Sequence, residues 1–193
     1  MLEFQEFPKI PRLRRDCIIT EKLDGTNAAI RIVENAKPDD PNRLALLDGL
    51  AIYAQSRSRF VTTGADNYGF AKWVQDNAPS LIALGPGTHF GEWWGQGIQR
   101  GYNKKAKTFS LFNTDRWGSV NLPPGVSCVP VLYTGVFCDE AVAFALNDLR
   151  TKGSLAAPDF MRPEGVVIFH VPSQHIYKVL LEGDELPKSV AGA

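Results

Sequence analysis

Lys22 is the residue whose surroundings most suggest chemistry. It stands in the run Glu21-Lys22-Leu23-Asp24-Gly25-Thr26-Asn27, with a carboxylate and a glycine close behind it. An amine attacks only when neutral, and a free lysine is protonated at pH 7. Burial or neighbouring cations must therefore favour its uncharged form. Three further segments can carry charge to a reaction: Phe90-Gly91-Glu92-Trp93-Trp94-Gly95, Glu164-Gly165-Val166-Val167-Ile168 and Ile176-Tyr177-Lys178-Val179. Glu92 and Glu164 sit among apolar, strand-forming neighbours, where a carboxylate needs a cation, a hydroxyl or a metal as partner. Arg57 and Arg59, in the polar run after Gln55, can clamp phosphate or ribose. Arg100, Lys104, Lys105 and Lys107, with Tyr102 among them, form the densest basic patch and suit a phosphate backbone. Each segment alone also has a plain reading, as a surface lysine beside a hairpin turn, a half-buried strand or a solvated loop.

The elements that must position these residues are mostly strands. Cys17–Thr20 and Ala28–Val33 are β-prone, and Asp24-Gly25 between them signals a turn, so the lysine segment reads as strand, turn, strand. Further strands are expected at Leu50–Gln55, Thr88–Trp94, Thr108–Asn113, Val129–Thr134, Gly165–Val171 and His175–Leu181. Pro130 assigns the Val129–Thr134 strand to a sheet edge. Phe70, Trp73 and Val74 give Asp66–Gln75 one apolar helical face, and Val142, Ala145, Leu146 and Leu149 do the same for Asp139–Lys152. Asp139 and Glu140 suit the start of that second helix and Gly153 its stop. Residues 36–44 read as a loop and the chain from Gly183 as a frayed tail. Strands with a few inserted helices predict an α+β fold of antiparallel sheets with flanking helices. No Gly-rich loop followed by Lys-Ser/Thr is present to act as a P-loop.

The bulk composition narrows the function classes. The chain has 193 residues and zero formal net charge, so it fits a single domain with no global basic field. Three widely spaced cysteines, Cys17, Cys128 and Cys138, suit neither a disulfide framework nor a zinc site. His89, His170 and His175 are too scattered to suggest a metal centre. No signal peptide or membrane-length apolar run is present, which predicts a cytoplasmic protein without membrane association.

In their order along the chain, the four segments resemble the covalent nucleotidyltransferase superfamily of DNA ligases, RNA ligases and mRNA capping enzymes. The resemblance runs from about Cys17 to Leu181. Lys22-Leu23-Asp24-Gly25 looks like the family's nucleophile motif. The leading Glu21 and the continuation Gly25-Thr26-Asn27 look like RNA ligases, since DNA ligases and capping enzymes usually carry Arg where Asn27 stands. The resemblance implies a single nucleotidyltransferase domain over residues 1–193, without an appended OB or helical domain. It implies an ATP-dependent RNA ligase: Lys22 takes AMP from ATP, passes it to a 5′-phosphate end, and a 3′-hydroxyl displaces it. Asp24 and Asn27 would orient the nucleotide and the ends. Glu92 and Glu164 would serve Mg²⁺ (or Mn²⁺) and ribose, and Arg57 and Lys178 would contact phosphate or ribose. Thr20 or Glu21 would meet the adenine edge. Phe109, ahead of Phe112, would stack on one face of the base and Val167 on the other. The family's second lysine beside Lys178 is missing, with Ile176 and Leu180 in the flanking places, and Lys188 is one substitute. RNA ends or a nicked duplex would then rest on the core surface or on an accessory protein. The alternatives are a DNA ligase or capping-type core, a non-catalytic nucleotide- or RNA-binding module, and a protein-modifying AMP transferase.

Overall fold

The computed structural model describes residues 2–34, 37 and 39–184; Lys188, part of the expected 36–44 loop and most of the expected tail lie outside them. In chain order the strands are β1 (Asp16–Lys22), β2 (Thr26–Glu34), β3 (Ala45–Leu47), β4 (Leu50–Ser56), β5 (Phe60–Val61), β6 (Gly87–Gly95), β7 (Lys107–Leu111), β8 (Val126–Cys128), β9 (Val131–Val136), β10 (Gly165–His170) and β11 (His175–Leu180). The helices are α1 (Phe70–Asp76), α2 (Ala78–Leu81), α3 (Thr114–Trp117) and α4 (Asp139–Lys152). The chain folds as two compact units, and it passes from the first to the second between Lys22 and Leu23. The fold is α+β, built on largely antiparallel sheets, as the strand-rich pattern predicts.

The first unit holds the sheet β11-β10-β1-β9, with every neighbouring pair antiparallel. Alternation along β1 and β10 turns Cys17, Ile19, Val166 and Ile168 to one side, where they pack with Ala141, Ala145 and Leu149 of α4. Each such aliphatic side chain contributes about 1.5–3 kcal/mol by leaving water. The helix has the expected bounds, and it stops at Gly153 (φ 80°), whose N–H donates to Leu149 O at 2.9 Å. Strand β9 lies at the sheet edge, as Pro130 suggests. Cys17 is a buried apolar residue, and all three cysteines are free thiols.

The second unit holds the sheet β3-β4-β2-β6-β7-β8, with β5 beside β4. Among the described residues its one parallel pair is β7–β8. Ala28, Ile30, Ile32, Trp93, Phe109 and Leu111 face a core completed by Phe70, Val74 and Leu81. Helix α1 starts at Phe70 and not at Asp66. Asp66 caps it from outside, its carboxylate accepting from the N–H groups of Ala71 (2.8 Å) and Lys72 (3.0 Å). The strand, turn, strand reading of the lysine segment holds, but its two strands do not pair with each other. Strand β1 pairs with β9 and β10, while β2 pairs with β4 and β6, so the turn links two sheets. Strands β3, β5 and β8 are two or three residues long, too short for a period-two pattern to show.

Candidate functional site

Lys22 is the last residue of β1, directly opposite Gly165 of β10. Its Nζ donates to Glu164 Oε2 at 2.6 Å, and the two side chains are only 23% and 16% exposed. Its direct partner is thus Glu164, one of the two carboxylates expected to serve metal and ribose. Gly165 has a steric task. At φ 153° a Cβ there would collide with Val179 O and lie 2.8 Å from Leu180 Cα. Only glycine lets β11 close against β10 at the level of the lysine.

The register gathers more of the expected residues on the same sheet. Thr20 lies opposite Val167, and Val167 lies opposite Lys178. Cross-strand partners share a face, so these three side chains and Lys22 occupy the side opposite α4. Val167 is half-buried and Lys178 exposed. Glu21 points to the other side and is buried, with Oε2 accepting from Leu155 N at 2.9 Å. That carboxylate anchors the chain after α4, so of the two expected adenine-edge residues Thr20 is the one on the lysine face.

In the second unit the residues after Lys22 are held as firmly. Asp24 N donates to the hydroxyl of buried Tyr102 at 2.9 Å, and Asp24 Oδ2 accepts from Arg100 Nε at 2.9 Å. Gly25 N donates to Glu92 Oε1 at 3.1 Å. A Cβ on Gly25 would lie 2.5 Å from Trp93 O and 2.7 Å from Trp94 Cβ, so the turn tolerates only glycine. Asn27 and Glu92 face each other across β2 and β6, and Ser110 of β7 is the next neighbour of Glu92. This side of the sheet is opposite the one covered by α1. Arg57 follows β4 and is exposed, without a hydrogen bond or ion pair among the described residues, whereas Arg59 is spent on the carbonyls of Phe60 and Ala65.

One expectation needs correction and a second narrowing. Phe109 offers no ring face to a base. It is fully buried with centroids 5.3 Å from Phe70 and 6.3 Å from Trp73, because it falls on the core side of β7. Phe112 is 40% exposed, and its N–H donates to Phe90 O at 3.0 Å, which continues the alternation onto the Glu92–Ser110 side. The basic patch is also less open than its sequence suggests, with Lys105 exposed and the other three cations partnered. Arg100 is paired with Asp24, Lys104 lies 4.7 Å from the Trp94 ring centroid, and Lys107 Nζ donates to Tyr68 O. Tyr102, which sequence reading took as an aromatic within that patch, is the clamp on the Asp24 backbone and packs edge-on to Trp94. Nothing in its own short segment signals this role, since the partner is 78 residues away.

Among the described residues no three His, Cys, Asp or Glu side chains stand together as a ready metal cage. Mg²⁺ does not require one, because it takes one or two carboxylates and fills the remaining positions with phosphate oxygens and water. Glu92 in the second unit and Glu164 in the first, each taken by itself, offer hard oxygen donors of the kind that ion takes. No helix among the described residues is long and apolar enough to cross a membrane.

Antiparallel sheets presenting a strand-end lysine, its glutamate partner and a glycine-locked Asp-Gly turn define a covalent nucleotidyltransferase core. The model of the RNA ligase family matches residues 15–180, and the chain belongs to that family. Several structures of a Naegleria gruberi RNA ligase share its fold. An apo lysine variant superposes with a TM-score of 0.50 at 20% identity, over 86% of this chain and 49% of that one. An arginine variant with ATP and Mn gives 0.53 at 16% identity, over 88% and 51%. An apo aspartate variant gives 0.52 at 19% identity, over 87% and 50%. The chain thus spans about half the length of the solved structures it matches. No curated protein matches it.

Proposed function

We propose that this chain is the adenylyl-transfer core of an ATP-dependent RNA ligase acting in the cytoplasm, with Lys22 as the nucleophile. The observation that carries the reading is the Lys22–Glu164 pair at 2.6 Å, on the sheet face that also bears Thr20, Val167 and Lys178. Family membership and the ATP and Mn in one Naegleria gruberi RNA ligase structure support it.

In the first step Nζ gives a proton to the adjacent Glu164 carboxylate, 2.6 Å away, the Nζ–phosphorus bond forms, and the bond from the α-phosphorus to the bridging oxygen of pyrophosphate breaks. Glu164 fixes the direction of Nζ. Lys178 offers a cation to the phosphates, and Thr20 and Val167 offer an edge contact and an apolar surface to adenine. Asp24, held by Arg100 and Tyr102, fixes the chain just past the nucleophile, and Asn27, Arg57 and Phe112 are the remaining candidate nucleotide contacts. Glu92 and Glu164 are the residues to hold Mg²⁺, which when bound neutralises phosphate charge. A 5′-phosphate end of RNA then accepts AMP, and a 3′-hydroxyl displaces it and seals the strand. Residues 1–193 serve this one reaction as a single adenylylation module, with RNA ends or a nicked duplex as its substrate and an accessory protein as a further source of substrate contacts.

Intact-mass spectrometry after incubation with ATP and Mg²⁺ tests the reading. One added AMP, localised to Lys22 and absent from Lys22→Ala, is expected. Labelling of Lys22→Ala at the wild-type level would remove Lys22 from the reaction.

A further inference from the structure

Residues 2–15 have no helix or strand, yet part of this stretch is firmly placed. His170 is 3% exposed, and both its ring nitrogens are engaged. Nε2 lies 2.9 Å from Leu13 O and Nδ1 lies 2.7 Å from Ser173 Oγ. The carbonyl requires a donor, so Nε2 carries a proton. Phe137 N donates to Arg15 O at 2.8 Å and pins the same stretch from the other side. Together these bonds tie the N-terminal stretch to the β10–β11 turn.

Between that stretch and the turn lies a cavity of about 550 Å³. Lys9, Arg12, Arg15 and His175 line it together with Ile10 and Ser173, and no acidic residue lines it. Lys9, Arg12 and Arg15 form no ion pair among the described residues. Unpaired cations converging on one cleft call for a polyanion. A second feature identifies which one. His175 stacks on Tyr177 two residues on, with centroids 6.4 Å apart and planes at 25°, and Tyr177 is 52% exposed. A basic groove leading onto exposed aromatic rings is the combination that holds single-stranded nucleic acid, with phosphates in the groove and bases on the rings.

We propose that this cleft, built from the N-terminal stretch and the β10–β11 turn, binds a single-stranded segment of the RNA substrate away from the reacting end. The proposal rests on the RNA ligase reading and extends it to a second contact surface. His175 lies opposite His170, and Lys22 lies opposite Gly165, five residues along β10. At about 3.4 Å per residue the two levels are separated by roughly 17 Å, a span of several nucleotides. His175 and Tyr177 share a face with Val179, which packs toward α4, so the bound segment reaches the Lys22 face across the edge strand β11.

Fluorescence anisotropy with a labelled single-stranded RNA of about a dozen nucleotides tests this on the full chain, alongside AMP labelling of the same preparations. The Arg12→Glu/Arg15→Glu variant is expected to bind about tenfold more weakly, with a log–log salt slope shallower by about 1.4. Tyr177→Ala is expected to lose roughly fivefold or more without a change in salt slope. AMP labelling and the unfolding midpoint stay at wild-type values in both, since neither variant touches the lysine face. Equal RNA affinity in wild type and both variants overturns the proposal, and loss with the charge reversals alone overturns the base-stacking part. Failure of the wild type to take AMP overturns the ligase reading and leaves the RNA-affinity result intact, so the two failures are distinguishable.

Discussion

Replacing Glu164 with glutamine or alanine probes the contact on which Lys22, the proposed nucleophile, depends. An exposed ion pair contributes about 0–1 kcal/mol, and breaking a fully buried one costs about 3–5 kcal/mol. With side chains 23% and 16% exposed and a 2.6 Å separation, the Lys22–Glu164 pair falls between these limits. A hydrogen bond to a charged group contributes about 1.5–3 kcal/mol, so about 2 kcal/mol is a fair figure. Glutamine keeps a neutral acceptor of roughly half the strength, so Glu164→Gln loses about 1 kcal/mol and Glu164→Ala about 2 kcal/mol. If that energy is spent on aiming Nζ, single-turnover AMP labelling at saturating ATP slows about fivefold in the glutamine variant and about thirtyfold in the alanine variant. A larger loss, restored in part by raised Mg²⁺, marks the additional task of holding metal. Denaturant midpoints in a Lys22→Met background separate aiming from folding, because there the glutamine substitution removes no pair. Wild-type labelling rates in both variants would refute the assignment of Glu164 to the nucleophile.

Two further outcomes follow from residues in the second unit. Phe109→Ala opens a cavity in the aromatic core and costs about 3–5 kcal/mol of stability. Phe112→Ala leaves the unfolding midpoint nearly unchanged but raises the KM for ATP by roughly fivefold or more; the reverse pattern returns adenine stacking to Phe109. His89 is 3% exposed and its pKa is lowered from 6.5, by burial first, which outweighs the raising effect of the Gly85 carbonyl, with a lesser lowering by the Arg116 guanidinium. The unfolded chain therefore binds the extra proton first. The neutral ring's contribution is complete above about pH 6.5 and is lost as pH falls through the lower folded value. Chemical denaturation between pH 5 and pH 8 should show that slope, at most about 1.4 kcal/mol per pH unit, and His89→Gln should flatten it.

Much of this arrangement is visible in the chain, and the parts that are not share a cause. The α4 boundaries are fixed locally by two acids at one end and Gly153 at the other, so they are readable. The strands carrying Lys22, Glu92 and Lys178 are readable for the same reason. What Asp24-Gly25 does is decided elsewhere. The pair signals a turn, but β1 finds its partners 110 or more residues downstream, and the glycine is required by Trp93 and Trp94. The choice between Phe109 and Phe112 depends on which side of β7 the helix α1 covers, and no local pattern states that. The basic patch is less open than its count of cations suggests, because a sequence does not show their partners, which for Arg100, Lys104 and Lys107 are Asp24, the Trp94 ring and Tyr68 O.

The two sheets obey one rule, and it explains why chemistry and packing residues alternate within the same short motifs. In β1 and β10 the side chains of Cys17, Ile19, Val166 and Ile168 go to the helix side, which leaves Thr20, Lys22 and Val167 on the other. In β2 and β6 Ala28, Ile30 and Trp93 go to the core, leaving Asn27 and Glu92 on the other side. A strand has only two faces, so each motif must carry its packing residues and its proposed reaction residues at alternate positions. A one-residue register shift in either sheet would bury a charge and expose an isoleucine or tryptophan at once. The dry helix-covered face therefore fixes the register, and the register aims the polar side chains. The glycines at 25 and 165 then allow backbone approaches that any Cβ would block. On this argument the core residues of these strands are positioning residues for the reaction: trimming Ile19 or Ile168 should loosen the aim of Lys22 before it unfolds the sheet.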